Sequence, residues 1–551
     1  MNGLILKLRL WSALVLGLLV GGDIGRANEA VWQWAVPFGE GRAFLWLPQD
    51  CVQVRAVVVA QHNMIEQGIL EHAAMRRTLG ELGFAAVFIA PPFDRPFQFD
   101  RGAGERFDAL MRALADISGY GELAVAPVVP MGHSACASFP WNFAAWNPAR
   151  TLAVLSLKGD APQTNLTGSG APNPAWAGRR IEGIPGLMVM SEAEWWEDRL
   201  APLLAFRVAQ PGAPLAVLCD TGHGHFDATD ELVTYLALFL RKAATARLPA
   251  KPGDALRAVD PAQGWVTGRW RPGDRALIVA QPAAAFRGDP AEVFWGFDEE
   301  IARATEVHHA RGRGQKSQQV DFVQEEKLAP ITTTHAGVTL GFLPEADGLT
   351  FRLGGAFITP LPPKPPVAAK DKAPPPTTTV PVLAAPGTHA AGPVEVSVIV
   401  GPAERVAPGR FRVAIDRTFV AGDARSYDIW LLARHAGGDG YKGAVQQGLL
   451  KLPRFTAGAA QTILFPAIND QPVGRGVLAL GATSSAGLPV IYAVREGPAF
   501  VRDGELHFTA LPPRTRFPVT VTVVAWQPGR GSEPRVRAAE PVEISFQLLA
   551  P

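Results

Sequence analysis

An α/β layered domain followed by all-β units is the architecture this sequence predicts, on three observations. Between residues 30 and 245, short apolar runs alternate with segments of helical periodicity, the pattern of a mainly parallel sheet flanked by helices. After about residue 250 the helical periodicity fades, and short β-prone runs punctuated by Gly and Pro take over. The chain, at 551 residues, is also too long for a single core, so separate units are required.

In chain order, the first segment is MNGLILKLRLWSALVLGLLVGGDIGRANEA. Lys7 and Arg9 precede an apolar run from Leu10 to about Val20, and small residues follow to Ala27. This is the pattern of a secretory signal peptide over residues 1–27, since about eleven apolar residues fall short of the roughly twenty that span a bilayer. No later stretch is long and apolar enough to span a membrane. The mature chain is therefore expected to be exported, whether periplasmic, secreted or at a cell surface.

Residues 28–248 form the expected α/β domain. Its strand candidates are AFLWLP (43–48), AVVVAQ (56–61), AAVFIAP (85–91), LAVAPVVPM (123–131), LAVLSL (152–157), LMVMS (187–191) and LAVLC (215–219). Phe107, Leu110, Met111, Leu114 and Ile117 recur at helical spacing, and a last helix over Glu231 to Arg241 starts behind Thr229 and Asp230 as candidate caps. Residues 249–358 read as a β-rich accessory unit with one helix in DPAEVFWGFDEEIARATEVHHA. Residues 359–393 are too proline-rich to pack and read as a linker or loop, though composition does not decide whether they separate two domains or interrupt one. Residues 394–455 carry strands of an accessory sandwich, and residues 456–551 read as a β-sandwich. No repeat is visible at solenoid or propeller period.

Charge and cysteines exclude more than they assign. Lys plus Arg number 52 against 51 Asp plus Glu, so no net field favours nucleic acid. Cys51, Cys136 and Cys219 are an odd count, so disulfides are not the architecture.

Chemistry concentrates at strand ends. LAVAPVVPM runs into Gly132-His133-Ser134-Ala135-Cys136 and then a helical segment, which is the strand, sharp turn and helix that a nucleophilic serine needs. Glycine is expected two residues after such a serine, and Cys136 is a small substitute. Glu194 follows the strand LMVMS, and His223 and His225 follow LAVLC in a glycine-rich loop. Nucleophile, acid and base thus arrive in the order Ser, Glu, His, each just past a strand.

With these motifs, residues 30–245 resemble the α/β-hydrolase superfamily, and in their short spacings its compact, lidless esterases and dienelactone hydrolases. The resemblance implies an α/β hydrolase fold with Ser134 as nucleophile, Glu194 in IPGLMVMSEAE as acid and His225 in GHF as base. His223 is the rival base, and Asp198 and Asp160 are rival acids. The residues that would receive the developing oxyanion are Ala135, after the nucleophile, and one of His62, Asn63 or Met64 in the loop after AVVVAQ. Trp195 and Trp196 are expected to line the substrate cleft or cover the sheet edge. The final segment, from SSAGLPVIYAV onward, resembles bacterial immunoglobulin-like modules.

No metal or other cofactor is expected: His308 and His309 are adjacent on a helix and diverge, and no other cluster has ligand spacing. The function these readings imply is an exported serine hydrolase of carboxylic esters, acting on an ester substrate that a polymer or polysaccharide could carry. Two alternatives stay open: a surface binding or adhesion protein with a non-catalytic hydrolase-like domain, and a serine peptidase on the same fold.

Overall fold

The computed structural model describes residues 31–166, 172–195, 197–271, 278–332, 337–360, 379 and 381–550. The expected signal peptide and Trp196 lie outside the described residues.

Eight strands form the N-terminal sheet: β1 (Trp34–Phe38), β2 (Gly41–Trp46), β3 (Ala56–Gln61), β4 (Phe84–Ala90), β5 (Val128–His133), β6 (Val154–Leu157), β7 (Gly186–Ser191) and β8 (Leu215–Asp220). Their order is β1-β2-β4-β3-β5-β6-β7-β8. β1 and β2 pair antiparallel, β2 runs antiparallel to β4, and the remaining neighbours are parallel. The helices between them are α1 (Glu66–Glu71), α2 (Ala73–Leu82), α3 (Ala103–Ser118), α4 (Ser138–Trp146), α5 (Glu197–Ala209) and α6 (Asp230–Arg247). This is the α/β-hydrolase fold expected for residues 30–245.

Strands covered on both faces read as continuous apolar runs, and β3 and β4 are wholly buried. Within each, alternate residues serve different layers. Val57, Val59, Val87 and Ile89 join a core with Phe107 of α3, Phe143 of α4 and Leu203 of α5. Val58, Ala60, Ala86 and Phe88 join a second core with Leu70 of α1, Leu79 of α2 and Leu236 of α6. The predicted helix through Phe107 and Leu114 is α3, and the Thr229 side chain accepts the Leu232 N–H as the cap of α6. Strand β1 has no counterpart among the sequence-predicted strands. The strand expected from residue 123 begins only at Val128, because Gly121–Ala124 form a 3-10 turn.

An edge strand with free N–H groups invites pairing, and here β8 is covered. The strands Gln281–Pro282, Trp265–Gly268 and Val293–Gly296 make a small sheet followed by α7 (Glu299–Ala310). Phe294 enters one core of the α/β domain and Trp295 the other, so this unit wraps the edge. His309 Nε2 accepts the Cys219 N–H at 3.1 Å, and the Thr221 hydroxyl donates to the His308 carbonyl at 3.1 Å. Both histidines are buried in this contact.

Two sandwiches complete the chain, and they share one topology. In the first, a four-stranded sheet runs Val338–Leu340, Ala444–Lys451, Asp428–His435, Glu395–Val400 against a three-stranded sheet Thr350–Arg352, Arg410–Val413, Ala403–Ala407. In the second, the corresponding sheets are Gln471–Pro472, Val542–Leu549, Val519–Trp526, Ile491–Glu496 and Val477–Ala479, Glu505–Phe508, Ala499–Arg502. Each has one parallel pair, between its first and last strands. Gly401-Pro402-Ala403 and Gly497-Pro498-Ala499 occupy the same turn, both glycines at positive φ and both alanine N–H groups bonded to the glycine carbonyl. The repeat is thus a whole sandwich, a scale at which solenoid and propeller periods show nothing.

Strand pairing decides what composition leaves open about residues 359–393. Strands on both sides of residues 359–393 belong to the same two sheets, so that segment interrupts one sandwich and does not divide residues 249–358 from 394–455. Its distal part is also packed: Thr359 and Ala384 N–H groups bond the Val382 and Phe357 carbonyls.

Candidate active site

Ser134 stands at the tip of the turn between β5 and α4 with φ at 50°. A left-handed backbone costs a non-glycine residue of order 1–3 kcal/mol, and it turns the side chain out of the sheet. The turn is tight: a Cβ on Gly132 would lie 2.0 Å from the Cys136 carbonyl oxygen. Glycine is therefore obligatory two residues before the serine. Two residues after it, Cys136 is accommodated with its Sγ 3.9 Å from the His62 carbonyl oxygen. Burial raises the Cys136 thiol well above its ordinary pKa, so it is an inert filler.

The structure brings three of the predicted residues together. His225 Nε2 lies 2.6 Å from Ser134 Oγ, and His225 Nδ1 lies 2.6 Å from Glu194 Oε2. With a neutral ring the hydroxyl donates to Nε2, and Nδ1–H donates to the carboxylate. Ser134 and His225 are 8% and 5% exposed, so the pair is screened from bulk water. Burial raises the Glu194 carboxyl, but the hydrogen bond and charge of His225, with Arg199 and Lys158, outweigh it and leave its pKa below the ordinary value. It is therefore ionised.

The rivals stand apart from this hydrogen-bond chain. Asp160 is buried against Arg199 Nε at 3.3 Å, and Asp198 is exposed in the first turn of α5. His223 Nδ1 binds Asp227 Oδ2 at 2.5 Å. Burial lowers the His223 imidazole, yet Asp220 and Asp227 hold its pKa above the ordinary value. Lys158 lies at the centre of this group, its Nζ 2.9 Å from both Asp220 Oδ2 and Asp227 Oδ1, and also donating to the Gly224 carbonyl. Asp220, His223 and Asp227 are the one group among the described residues whose atoms could converge on a metal. The ammonium of Lys158 already bonds both of its carboxylates.

Residues outside the sequence reading also shape the site. His133 Nε2 donates to the His225 carbonyl at 2.8 Å, and the Asn63 amide donates to the His133 carbonyl at 3.1 Å. Glu66, fully buried, accepts the His133 N–H on Oε1 at 2.9 Å and the Met64 and Asn63 N–H groups on Oε2 at 2.9 and 3.1 Å. Burial pushes the Glu66 carboxyl up to about 7 against the pull of those N–H groups. A glutamate at the start of a short helix gave no sequence signal, and a lysine just past a strand in LSLKGD was the one available hint of the buried cluster.

Two expectations need correcting. The second oxyanion donor was expected among His62, Asn63 and Met64, but their N–H groups bond the Ile89 carbonyl and Glu66. Ala135, the other expected donor, borders a cavity of about 360 Å³ whose lining includes Pro92, Phe93, Arg95, Gln98 and Asn165. Trp195 does not line that cavity; its ring packs on the apolar core and its Nε1–H donates to Glu197.

No protein-family model matches the chain, and no curated protein matches it. Solved structures do. A thermostable carboxyl esterase from Bacillus coagulans is 12% identical, covering 39% of this chain and 99% of its own, with TM-score 0.28. Dienelactone hydrolase from Anabaena variabilis is 15% identical, covering 40% and 98%, with TM-score 0.28. Est1E from Butyrivibrio proteoclasticus is 19% identical, covering 39% and 99%, with TM-score 0.26.

Proposed function

We propose that this chain is a serine hydrolase of carboxylic esters, with Ser134 as nucleophile, His225 as general base and Glu194 as the carboxylate that orients the imidazole. The observation that carries the reading is the continuous hydrogen-bond chain from Ser134 Oγ through His225 to Glu194 Oε2. Its three members come from the ends of β5, β7 and β8, and the serine is held in a strained turn.

In this mechanism Oγ attacks the ester carbonyl while its proton passes to Nε2, and ionised Glu194 stabilises the imidazolium. The carbonyl electron pair moves onto oxygen, where the Ala135 N–H receives the charge. Collapse breaks the bond to the alcohol, which leaves with the Nε2 proton, and an acyl group remains on Ser134. Water, deprotonated by His225, then releases the acid by the same route. One oxyanion donor is worth roughly 3 kcal/mol.

Export is part of the same reading, on the pattern of residues 1–27, and no helix among the described residues is long and apolar enough to cross a membrane. Two sandwiches fixed to a hydrolase core suit an ester on an immobile polymer or polysaccharide, because docking through them raises local concentration. The test compares short p-nitrophenyl esters with peptide amides. Ester turnover is expected, with Ser134→Ala lowering kcat by about 10⁴-fold or more. Preferential amide cleavage would favour a peptidase, and no turnover of either would favour a binding protein.

A further inference from the structure

The first sandwich presents one sheet face to the α/β domain, and that face meets the two loops that carry acid and base. On paired strands, alternate residues share a face; Trp430, Leu432 and Arg434 stand opposite Leu449, Gln447 and Val445. The intervening residues Ile429, Leu431 and Ala433 fill the core of the sandwich. The outward set touches the base loop: the Trp430 ring is 5.0 Å from that of Phe226, the residue after His225. A Cβ on Gly224 would meet Val445 at 3.4 Å, and one on Gly222 would lie 2.7 Å from the Gly443 carbonyl oxygen. Arg434 reaches Glu231 on α6 at 3.3 Å.

Between these strands, the hairpin supplies Lys442. Its ammonium donates to Glu192 Oε1 at 2.6 Å, while Glu192 Oε2 accepts the Gly222 N–H at 2.8 Å. Glu192 and Glu194 share one 3-10 turn, and the Ala193 N–H in that turn bonds the His223 carbonyl. Lys442 is itself fixed, its N–H bonded to the Lys316 carbonyl and its carbonyl accepting from Gln318 Nε2. The same sandwich also sends Arg417 to Glu71 on α1, at 3.7 Å. The cavity beside Ala135 is lined by the α/β domain alone, so the sandwich backs the base and leaves that cavity to the hydrolase loops.

We infer that the first sandwich is part of the catalytic apparatus: Lys442 is a positioning residue that, through Glu192, holds the acid turn and the base loop in register. This rests on the proposed hydrolase reading. Lys442 touches no reacting atom; it acts on the alignment of Glu194 with His225, and misplacement of about 1 Å in such a chain can cost up to 10²-fold in rate.

The test uses the full chain. Lys442→Met should lower kcat on a short p-nitrophenyl ester about tenfold, slow fluorophosphonate labelling by the same factor, and leave KM and the melting temperature nearly unchanged. Lys442→Arg should restore most of both rates. Glu192→Gln, which keeps an acceptor for Gly222 but loses the ion pair, should share the defect if Lys442→Met folds poorly. Wild-type rates in these variants, or a lower melting temperature with kcat intact, would overturn the inference. Failure of the wild-type chain to label would instead sink the hydrolase reading beneath it.

Discussion

Lys158 is held with its side chain wholly buried and its backbone at a φ of 47°, two unfavourable conditions met in one residue. Burial alone would lower its ammonium, but Asp227 and Asp220 outweigh that and raise its pKa above the ordinary lysine value. The return is rigidity at the base loop, since the same ammonium bonds the Gly224 and Asp227 carbonyls on either side of His225. Lys158→Met should destabilise the protein by about 3–5 kcal/mol, because two carboxylates would be left buried without their cation; urea denaturation measures it. Glu194 gives a pH dependence of opposite origin. Its folded pKa lies below the ordinary 4.5, so its contribution to stability is present above that value and is lost as pH falls through the lowered one. Melting temperatures followed from about pH 6 down to about pH 3 should fall more steeply for the wild type than for Glu194→Gln. At this scale the sequence exposed the side chains proposed to react and hid their supports. Ser134, Glu194 and His225 each follow an apolar strand, a local pattern, whereas Glu66, His133 and Lys158 matter only through partners far along the chain.

The turn from β5 into α4 is the element on which the serine depends. Strand pairing sets His133 opposite Leu157 of β6, and the chain must then reverse within the space that Gly132 leaves beside Cys136. Gly132→Ala should cost about 3 kcal/mol of stability through backbone overlap, and circular dichroism melts together with ester kinetics should show stability and activity falling together. The motif departs from expectation only after the serine, where cysteine replaces glycine, and the geometry explains why that is tolerated: the crowding falls on position 132. Helices α3 and α6 were legible from periodicity because each buries one face. Strand β1 was not, since its apolar run is only three residues long before Pro37, and a proline inside a run argues against a strand.

Across the whole molecule, the accessory units are built onto the α/β domain and do not trail behind it. The second sandwich reaches the opposite side of the sheet, with Arg514 paired to Glu122 and Arg42 of β2 paired to Glu496. Its Trp526 also joins the core of the first sandwich, its ring tilted against that of Phe419 with centroids 4.5 Å apart. Composition announced β-rich units after residue 250 but not their arrangement, because strands of one sheet are separated by the proline-rich segment and the two sandwiches share little beyond the Gly-Pro-Ala turn. Central to the proposed function is a reactive serine at position 134. Mass spectrometry of the full chain after treatment with a fluorophosphonate tests that claim most directly. One adduct on the peptide containing Ser134, absent in His225→Ala, is the result expected. An unlabelled protein, or an adduct on another serine with Ser134 untouched, would contradict it.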